Sequence, residues 1–336
     1  MSLTTIKDIA SYLNISPSTV SRALRDHPDI SQQTKDLVKT VAEKLDYQPN
    51  TIAQSLKNRQ SNIIGVVVPQ VKHYFFASIM AGITDVAYEA GYTVMICQSN
   101  DDYEREVINT QALSSHHVAG LLVSVSQSTK KFDHFKALQK RNIPLVFFDR
   151  VIDQVDASSV SIDDQQSAFM ATEHLIKKGY KRIAHIGGPQ HLTICTKRYQ
   201  GYLDALNQYN IPLHEDLIIF EGMNEEHGNQ GLIRLFNKMK AMPDSIFCVT
   251  DPVAIGVYIE LKKRNIKIPQ EVALVGFSDN PNASLIDPPL TTVHQPAYDI
   301  GSTATALLLD EINNKTKPKI HVKKILKTEL IVRQST

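Results

Sequence analysis

The chain has 336 residues, enough for about two domains and a small extra module. With 42% hydrophobic and 21% charged residues, it reads as an ordinary globular chain, which excludes a collagen-like, fibrous or largely disordered protein. A net charge of +1 makes no case for nucleic acid, and Cys97, Cys195 and Cys248 are too few and too widely spaced for a disulfide framework or a Cys-x-x-Cys site.

The opening stretch up to Asp46 shows helical period alone. Ile6, Ile9, Ala10 and Leu13 fall at i, i+3, i+4 and i+7, and Val20, Ala23 and Leu24 repeat the spacing. Thr34, Leu37, Val38, Val41, Ala42 and Leu45 carry it through a third stretch. Each start is marked: Thr5 stands three residues before Asp8, Ser16 precedes Pro17, and Ser31 opens the third run. The short link between the first two helices centres on Asn14, a residue that tolerates the left-handed conformation of a tight turn. The pattern predicts a helix-turn-helix with a third supporting helix.

From Asn62 the texture changes to short apolar runs at Ile63–Val68, Thr93–Cys97, Leu121–Val125, Leu145–Phe148, Ile183–Ile186, Ile246–Val249 and Val272–Phe277. Amphipathic stretches such as Ile79–Ala90, Phe169–Lys178 and Ala254–Arg264 separate them. Runs without polar alternation are what parallel strands buried on both faces require, so the expected fold is doubly wound α/β with two such sheets. Ligands of open α/β sheets sit outside the carboxyl ends of the strands, which makes the residues after each run the pocket candidates.

Enzyme signatures are scarce. Gly-x-Gly-x-x-Gly and the phosphate-loop pattern are absent, and Gly187-Gly188-Pro189 is too short to replace them, which disfavours a dinucleotide-dependent enzyme. His116 and His117 would diverge on a helix and have no partner at metal spacing. Neither metal nor cofactor is expected, nor is catalysis. No run reaches the ~20 apolar residues of a membrane span, and Met1-Ser2-Leu3-Thr4 does not open an export signal. A cytoplasmic protein is the expectation.

Three segments carry a family resemblance: Thr5-Ile6-Lys7-Asp8-Ile9-Ala10, Ser16 to Leu24 (Ser-Pro-Ser-Thr-Val-Ser-Arg-Ala-Leu), and Tyr47 to Leu56 (Tyr-Gln-Pro-Asn-Thr-Ile-Ala-Gln-Ser-Leu). The chain here resembles the lactose-repressor (LacI/GalR) family. Ile64 to Pro69, Phe148-Asp149-Arg150, Arg198 to Gly201, Val275-Gly276-Phe277 and Pro288 to Pro296 continue the likeness in order, over essentially the whole chain. The resemblance implies a DNA-binding headpiece at 1–48, a hinge helix and linker at 49–61, and a core at 62–336 similar to periplasmic sugar-binding proteins. Its first subdomain would comprise 62–161 and 293–320, its second 162–292 and 321–336. It further implies a repressor that binds a pseudo-palindromic double-stranded operator as a homodimer, under control of a small effector, a sugar or sugar derivative. No heptad repeat follows Val332, so a tetramerising C-terminal coiled coil is not expected. The alternative is a sugar-binding or sugar-processing core whose helical module serves contacts other than DNA.

Carried over by position, Pro17, Ser18 and Arg22 match base-reading residues of the second helix. Arg22 can bridge the O6 and N7 of guanine with two hydrogen bonds. Ser16, Thr19, Ser21, Ser31, Thr34, Tyr47 and Asn50 match phosphate-gripping positions, where hydroxyls and amides fix register. Ala53 and Leu56 match the minor-groove positions of the hinge, Leu56 as the wedge. In the core, His73, Phe75, Phe76, Asp149, Arg150, Arg198, Met223, Thr250, Ser278 and Gln295 match effector-binding positions. Several depart from the family's usual residues: His73 and Thr250 replace Asn, Met223 an aromatic, and Ser278 the first Asp of Gly-Phe-Asp-Asp. Leu192 and Ile194 are apolar where a purine-binding member has polar contacts, which argues against a purine.

Overall fold

A computed structural model of the chain describes residues 4–47, 61–314 and 321–336. The chain divides into two units, Met1–Ser61 and Asn62–Thr336.

In the first unit, α1 (Ile6–Leu13), α2 (Pro17–Ala23) and α3 (Gln32–Lys44) pack around Ile9, Ala10, Val20, Ala23, Val38, Val41 and Ala42. Local chemistry sets the boundaries. The Asp8 carboxylate accepts from both the backbone N–H and the hydroxyl of Thr5, each at 2.7 Å. Asn14 ends α1 in the left-handed region at φ 53°. Leu37 departs from the expected core stripe and is 52% exposed on α3.

The second unit holds two six-stranded sheets. In the first, β1 (Ile63–Val68), β2 (Thr93–Gln98), β3 (Gly120–Val123), β4 (Leu145–Phe148) and β5 (Ser158–Ile162) run parallel, and β11 (Lys323–Leu326) adds to β5, giving the order β11-β5-β4-β3-β1-β2. The second contains β6 (Ile183–Gly187), β7 (Ile218–Phe220), β8 (Ser245–Cys248), β9 (Ala273–Ser278), β10 (Thr291–His294) and β12 (Glu329–Ile331), in the order β12-β10-β9-β8-β6-β7. It is parallel except for the antiparallel edge β12. The chain passes between the sheets after β5, after β10 and after β11.

Helices cover the faces, as parallel connections require. They are α4 (Tyr74–Glu89), α5 (Tyr103–Ser115), α6 (Asp133–Lys140), α7 (Asp164–Lys177), α8 (Thr193–Gln208), α9 (Glu225–Lys238), α10 (Asp251–Lys263), α11 (Asn282–Leu285) and α12 (Ala297–Asn313). The α4–α12 contact is backbone to backbone: a Cβ on Gly82 would lie 2.2 Å from the Tyr298 carbonyl oxygen, and one on Gly301 2.1 Å from that of Ile79. This packing returns α12 to the first sheet.

Two subdomain boundaries need correction. Residues 321–326 do not join the second subdomain: Lys323 to Leu326 pair in parallel with Ser159 to Ile162 of the first sheet. Val293 and His294 belong to the second sheet, opposite Phe277 and Ser278. The β11 strand has an exposed Lys-Lys-Ile edge rather than a buried apolar run, so periodicity could not assign it.

Candidate functional site

On the headpiece, Ser16 caps α2, its Oγ accepting from the Thr19 N–H at 3.1 Å, and Pro17 takes the first helical position. Val20 and Ala23 turn inward, while Pro17, Ser18 and Arg22 are exposed together on the opposite side. Arg22 lies 4.0 Å from Asp29, with its side chain 59% exposed, a loose pairing that leaves the guanidinium available. Ser31 caps α3 through the Thr34 N–H at 3.3 Å, and its Oγ lies 2.8 Å from the Thr34 hydroxyl. Thr19, Ser21 and Tyr47 are half-buried; burial raises the Tyr47 phenol above its usual range. Asn50, Ala53 and Leu56 lie outside the described residues.

In the core, the carboxyl ends of strands from both sheets border one cavity of about 210 Å³. All ten core candidates line it: His73, Phe75, Phe76, Asp149, Arg150, Arg198, Met223, Thr250, Ser278 and Gln295. Gln70, Asp101, Gln127, Asn224, His227 and Asn280 also line it and were missed. Each follows a strand, so the strand-end rule, applied to every run, was the signal that could have found most of them.

The wall from the first sheet is built on Asp149 and Arg150. Asp149 sits just past β4 at φ 58°, a left-handed backbone that costs energy outside glycine and recurs at functional sites. Its carboxylate accepts from the Ser124 hydroxyl at 3.3 Å. Burial pushes its pKa up to about 6, against the pull of Arg150 and Arg198. Arg150 donates to the Asp101 carboxylate and, at 3.3 Å, to the Val125 carbonyl. Asp101 also accepts from the Gln127 N–H at 2.9 Å, so one carboxylate fixes both the arginine and the loop that brings Gln127 to the cavity.

The facing wall is anchored by Arg198, 2% exposed. Its Nε donates to Asp164 at 2.8 Å, its Nη1 to the Val249 carbonyl at 2.8 Å, and its guanidinium carbon lies 3.7 Å from the centre of the Phe277 ring. Arg198 is therefore paired with Asp164, and two of its three guanidinium nitrogens are engaged within the protein. Thr250 and Asn224 cap α10 and α9 through the N–H groups of Val253 and His227. The Met223 sulfur packs 3.5 Å from Cys195, whose thiol burial pushes up to about 12, so it is an inert wall. Behind Ser278, buried Asp251 accepts from Asn280 N–H and the Thr292 hydroxyl, each at 2.6 Å, with its pKa pushed by burial up to about 6. His73 is held below the usual imidazole range by burial first and by Lys72 second.

Four buried side-chain atoms of this lining have no hydrogen-bond partner within the protein: Gln70 Oε1, Arg150 Nε, His227 Nδ1 and Gln295 Nε2. An unpaired buried polar group costs ~1–3 kcal/mol, so four around one cavity mark it as built for a polar ligand. Among the described residues, no group of three or more His, Cys, Asp or Glu side chains could hold a metal ion, and no helix is long and apolar enough to cross a membrane.

Residues 5–50 match the model of bacterial regulatory proteins of the lacI family, and 172–336 that of the periplasmic binding protein-like domain. The ribose operon repressor of Halalkalibacterium halodurans is 32% identical over 99% of this chain and 97% of its own length. The chain belongs to the LacI family. The transcriptional repressor CytR of Escherichia coli is 31% identical over 99% of this chain and 96% of its own. Among solved structures, the lac repressor dimer bound to operator and the anti-inducer ONPF shares the fold with a TM-score of 0.87, at 24% identity and 99% of both chains. As a LacI-family member it is a DNA-binding transcriptional regulator, and the relatives are repressors rather than enzymes.

Proposed function

We propose that this LacI-family chain represses transcription as a cytoplasmic homodimer on a pseudo-palindromic operator, and that a carbohydrate in the core cleft changes its operator affinity. The observation that carries the effector reading is the set of unpaired buried groups at Gln70, Arg150, His227 and Gln295. They combine donors with an acceptor, and a sugar hydroxyl serves as either. Phe75 and Phe76 supply the apolar faces that sugar C–H groups need. The half-sites would be read by Pro17, Ser18 and Arg22, with Ser16, Thr19, Ser21, Ser31, Thr34, Tyr47 and Asn50 on phosphates and Ala53 and Leu56 in the minor groove. Relatives named for a ribose operon and for a cellobiose complex support a sugar as the ligand class.

The test is operator selection from random duplexes, followed by gel shifts of the selected site with a monosaccharide and disaccharide panel. Enrichment of an inverted repeat, with affinity altered by a sugar, is expected. Equal affinity for selected and scrambled DNA overturns the regulator reading, and indifference to every sugar overturns the effector reading.

A further inference from the structure

On α5, Glu106, Thr110 and Leu113 fall at i, i+4 and i+7 and are all buried, so a carboxylate occupies the helix face that packs inward. Glu106 is 0% exposed, and a carboxylate out of water is costly unless its oxygens are satisfied. Donors from one later segment satisfy them. Oε2 accepts from the Ser126 N–H at 2.6 Å, while Oε1 accepts from the Thr129 hydroxyl at 2.8 Å and lies 3.0 Å from His134 Nε2. Facing an acceptor, the imidazole donates from Nε2, and its Nδ1 is buried without a partner. Ser126, Thr129 and His134 span the connection from β3 to α6, so one side chain pins that connection at its start, its middle and its end.

What the pinned connection carries is Gln127, which belongs to neither a helix nor a strand. Its side chain lines the cleft, and its carbonyl accepts from His191, which stands between β6 and α8 in the second subdomain. One loop residue thus meets both the ligand space and the opposite subdomain. Asp101 holds its N–H at 2.9 Å from the cleft side; Glu106, which does not line the cleft, holds the residues around it from beneath. A polar group placed by such a network is held ready for a ligand instead of being ordered by it.

We propose that Glu106 is a positioning residue of the effector site: without touching the ligand, it fixes the β3–α6 connection so that the Gln127 side chain meets the bound sugar while its carbonyl stays on His191. This rests on the carbohydrate reading of the cleft. The test compares the full chain with Glu106→Gln, Gln127→Ala and the double variant. The new amide brings one acceptor oxygen where the carboxylate brings two, so amide hydrogen exchange across 124–132 should speed up about tenfold in Glu106→Gln. Calorimetry with D-ribose, D-glucose, D-galactose and cellobiose identifies a sugar that binds the wild type, and each single variant should hold it about tenfold less tightly. The double variant should bind it as Gln127→Ala does, because Glu106 acts through Gln127; a general loosening of the fold would instead multiply the two losses. Thr129→Val removes one donor from Glu106 at a position that does not line the cleft. It should move exchange and affinity in the same direction by about threefold, and it replaces Glu106→Gln in the comparison if that variant does not fold. Wild-type exchange in the folded variants, or multiplied losses in the double variant, overturns the positioning role and leaves the cleft reading intact. If no sugar binds the wild type, the carbohydrate reading fails, and the exchange rates alone decide whether Glu106 holds the connection.

Discussion

The headpiece and the core build their candidate sites in opposite ways. Ser16 and Ser31 cap their helices three residues downstream, and Arg22 projects into solvent. The core joins Arg198 to Asp164 across 34 residues, Thr292 to Asp251 across 41 and Arg150 to Asp101 across 49, mostly out of water. A surface that reads a rigid, charged partner needs exposed groups on a firm helix, because the partner supplies the complementary field. A cleft that encloses a small ligand must hold its polar groups in place beforehand, which takes partners from distant segments. Substitutions of exposed reading groups on the headpiece, such as Arg22, should therefore alter recognition without altering stability, whereas substitutions in the buried core network should alter both.

The largest expected effect is Arg198→Ala. It leaves the buried Asp164 carboxylate without its partner, and breaking a buried pair typically costs ~3–5 kcal/mol. The core's melting transition should fall steeply and sugar binding should disappear. Asp164→Asn, which keeps the shape and removes the charge, should restore part of the melting in the double variant. Wild-type melting of Arg198→Ala by calorimetry would break the contrast, because the core site would then be as independent of stability as the headpiece.

Next is the pH dependence of Asp149. Its pKa rises from 3.8 to about 6 because burial disfavours the charged form. The folded chain thus keeps this proton through a range where the unfolded chain has released it, so the group's contribution to stability is present below 3.8 and is lost as pH climbs through about 6. Asp149→Asn removes the titration. Relative to wild type, the variant should gain stability as pH rises through that window and hold the gain above it. Parallel melting curves without ligand check this, and a constant difference between the two proteins would refute it.

Arg22→Ala sharpens the headpiece side. Loss of a bidentate guanine contact is worth ~1–3 kcal/mol of discrimination, while headpiece melting should not change, since the side chain is 59% exposed. Gel shifts on cognate and scrambled DNA separate the effects. Equal weakening on both would make Arg22 a phosphate or surface residue.

The same contrast explains what the sequence made legible. Helical period, cap residues and Asn14 outlined the headpiece because their causes lie within a few residues, with Leu37 the misfit on α3. Apolar runs located seven strands. Ser158 to Ile162 was missed because serines fill a strand that is nonetheless buried, and β11 because it is an exposed edge. In the cleft, positions carried over from the family lined the cavity, and Gln70, Asp101 and Gln127 follow apolar runs where the strand-end rule points, whereas His227, inside α9, needed the folded walls to be noticed. The Asp164–Arg198 pairing was illegible for the same reason: several aspartates compete for one arginine, and only the packing of α7 on α8 decides among them.

The smallest expected effect concerns Ser31, where capping and phosphate contact predict different outcomes. Its Oγ already accepts from the Thr34 N–H, and replacing such a cap by Ala costs ~0.5–2 kcal/mol, by Gly only a few tenths. If Ser31 only caps, Ser31→Ala lowers headpiece melting, Ser31→Gly barely does, and both bind operator like wild type at temperatures where the headpiece stays folded. If the hydroxyl also grips a phosphate, both variants lose affinity by a similar factor, on cognate and scrambled DNA alike, because a phosphate contact carries no sequence information. The salt slope should stay the same in either case, since a neutral hydroxyl releases no counterion. We expect the second pattern, with the affinity loss of Ser31→Gly exceeding its loss of stability. Matching losses in Ser31→Gly would reduce Ser31 to a helix cap and place all its influence on the stability side of the comparison.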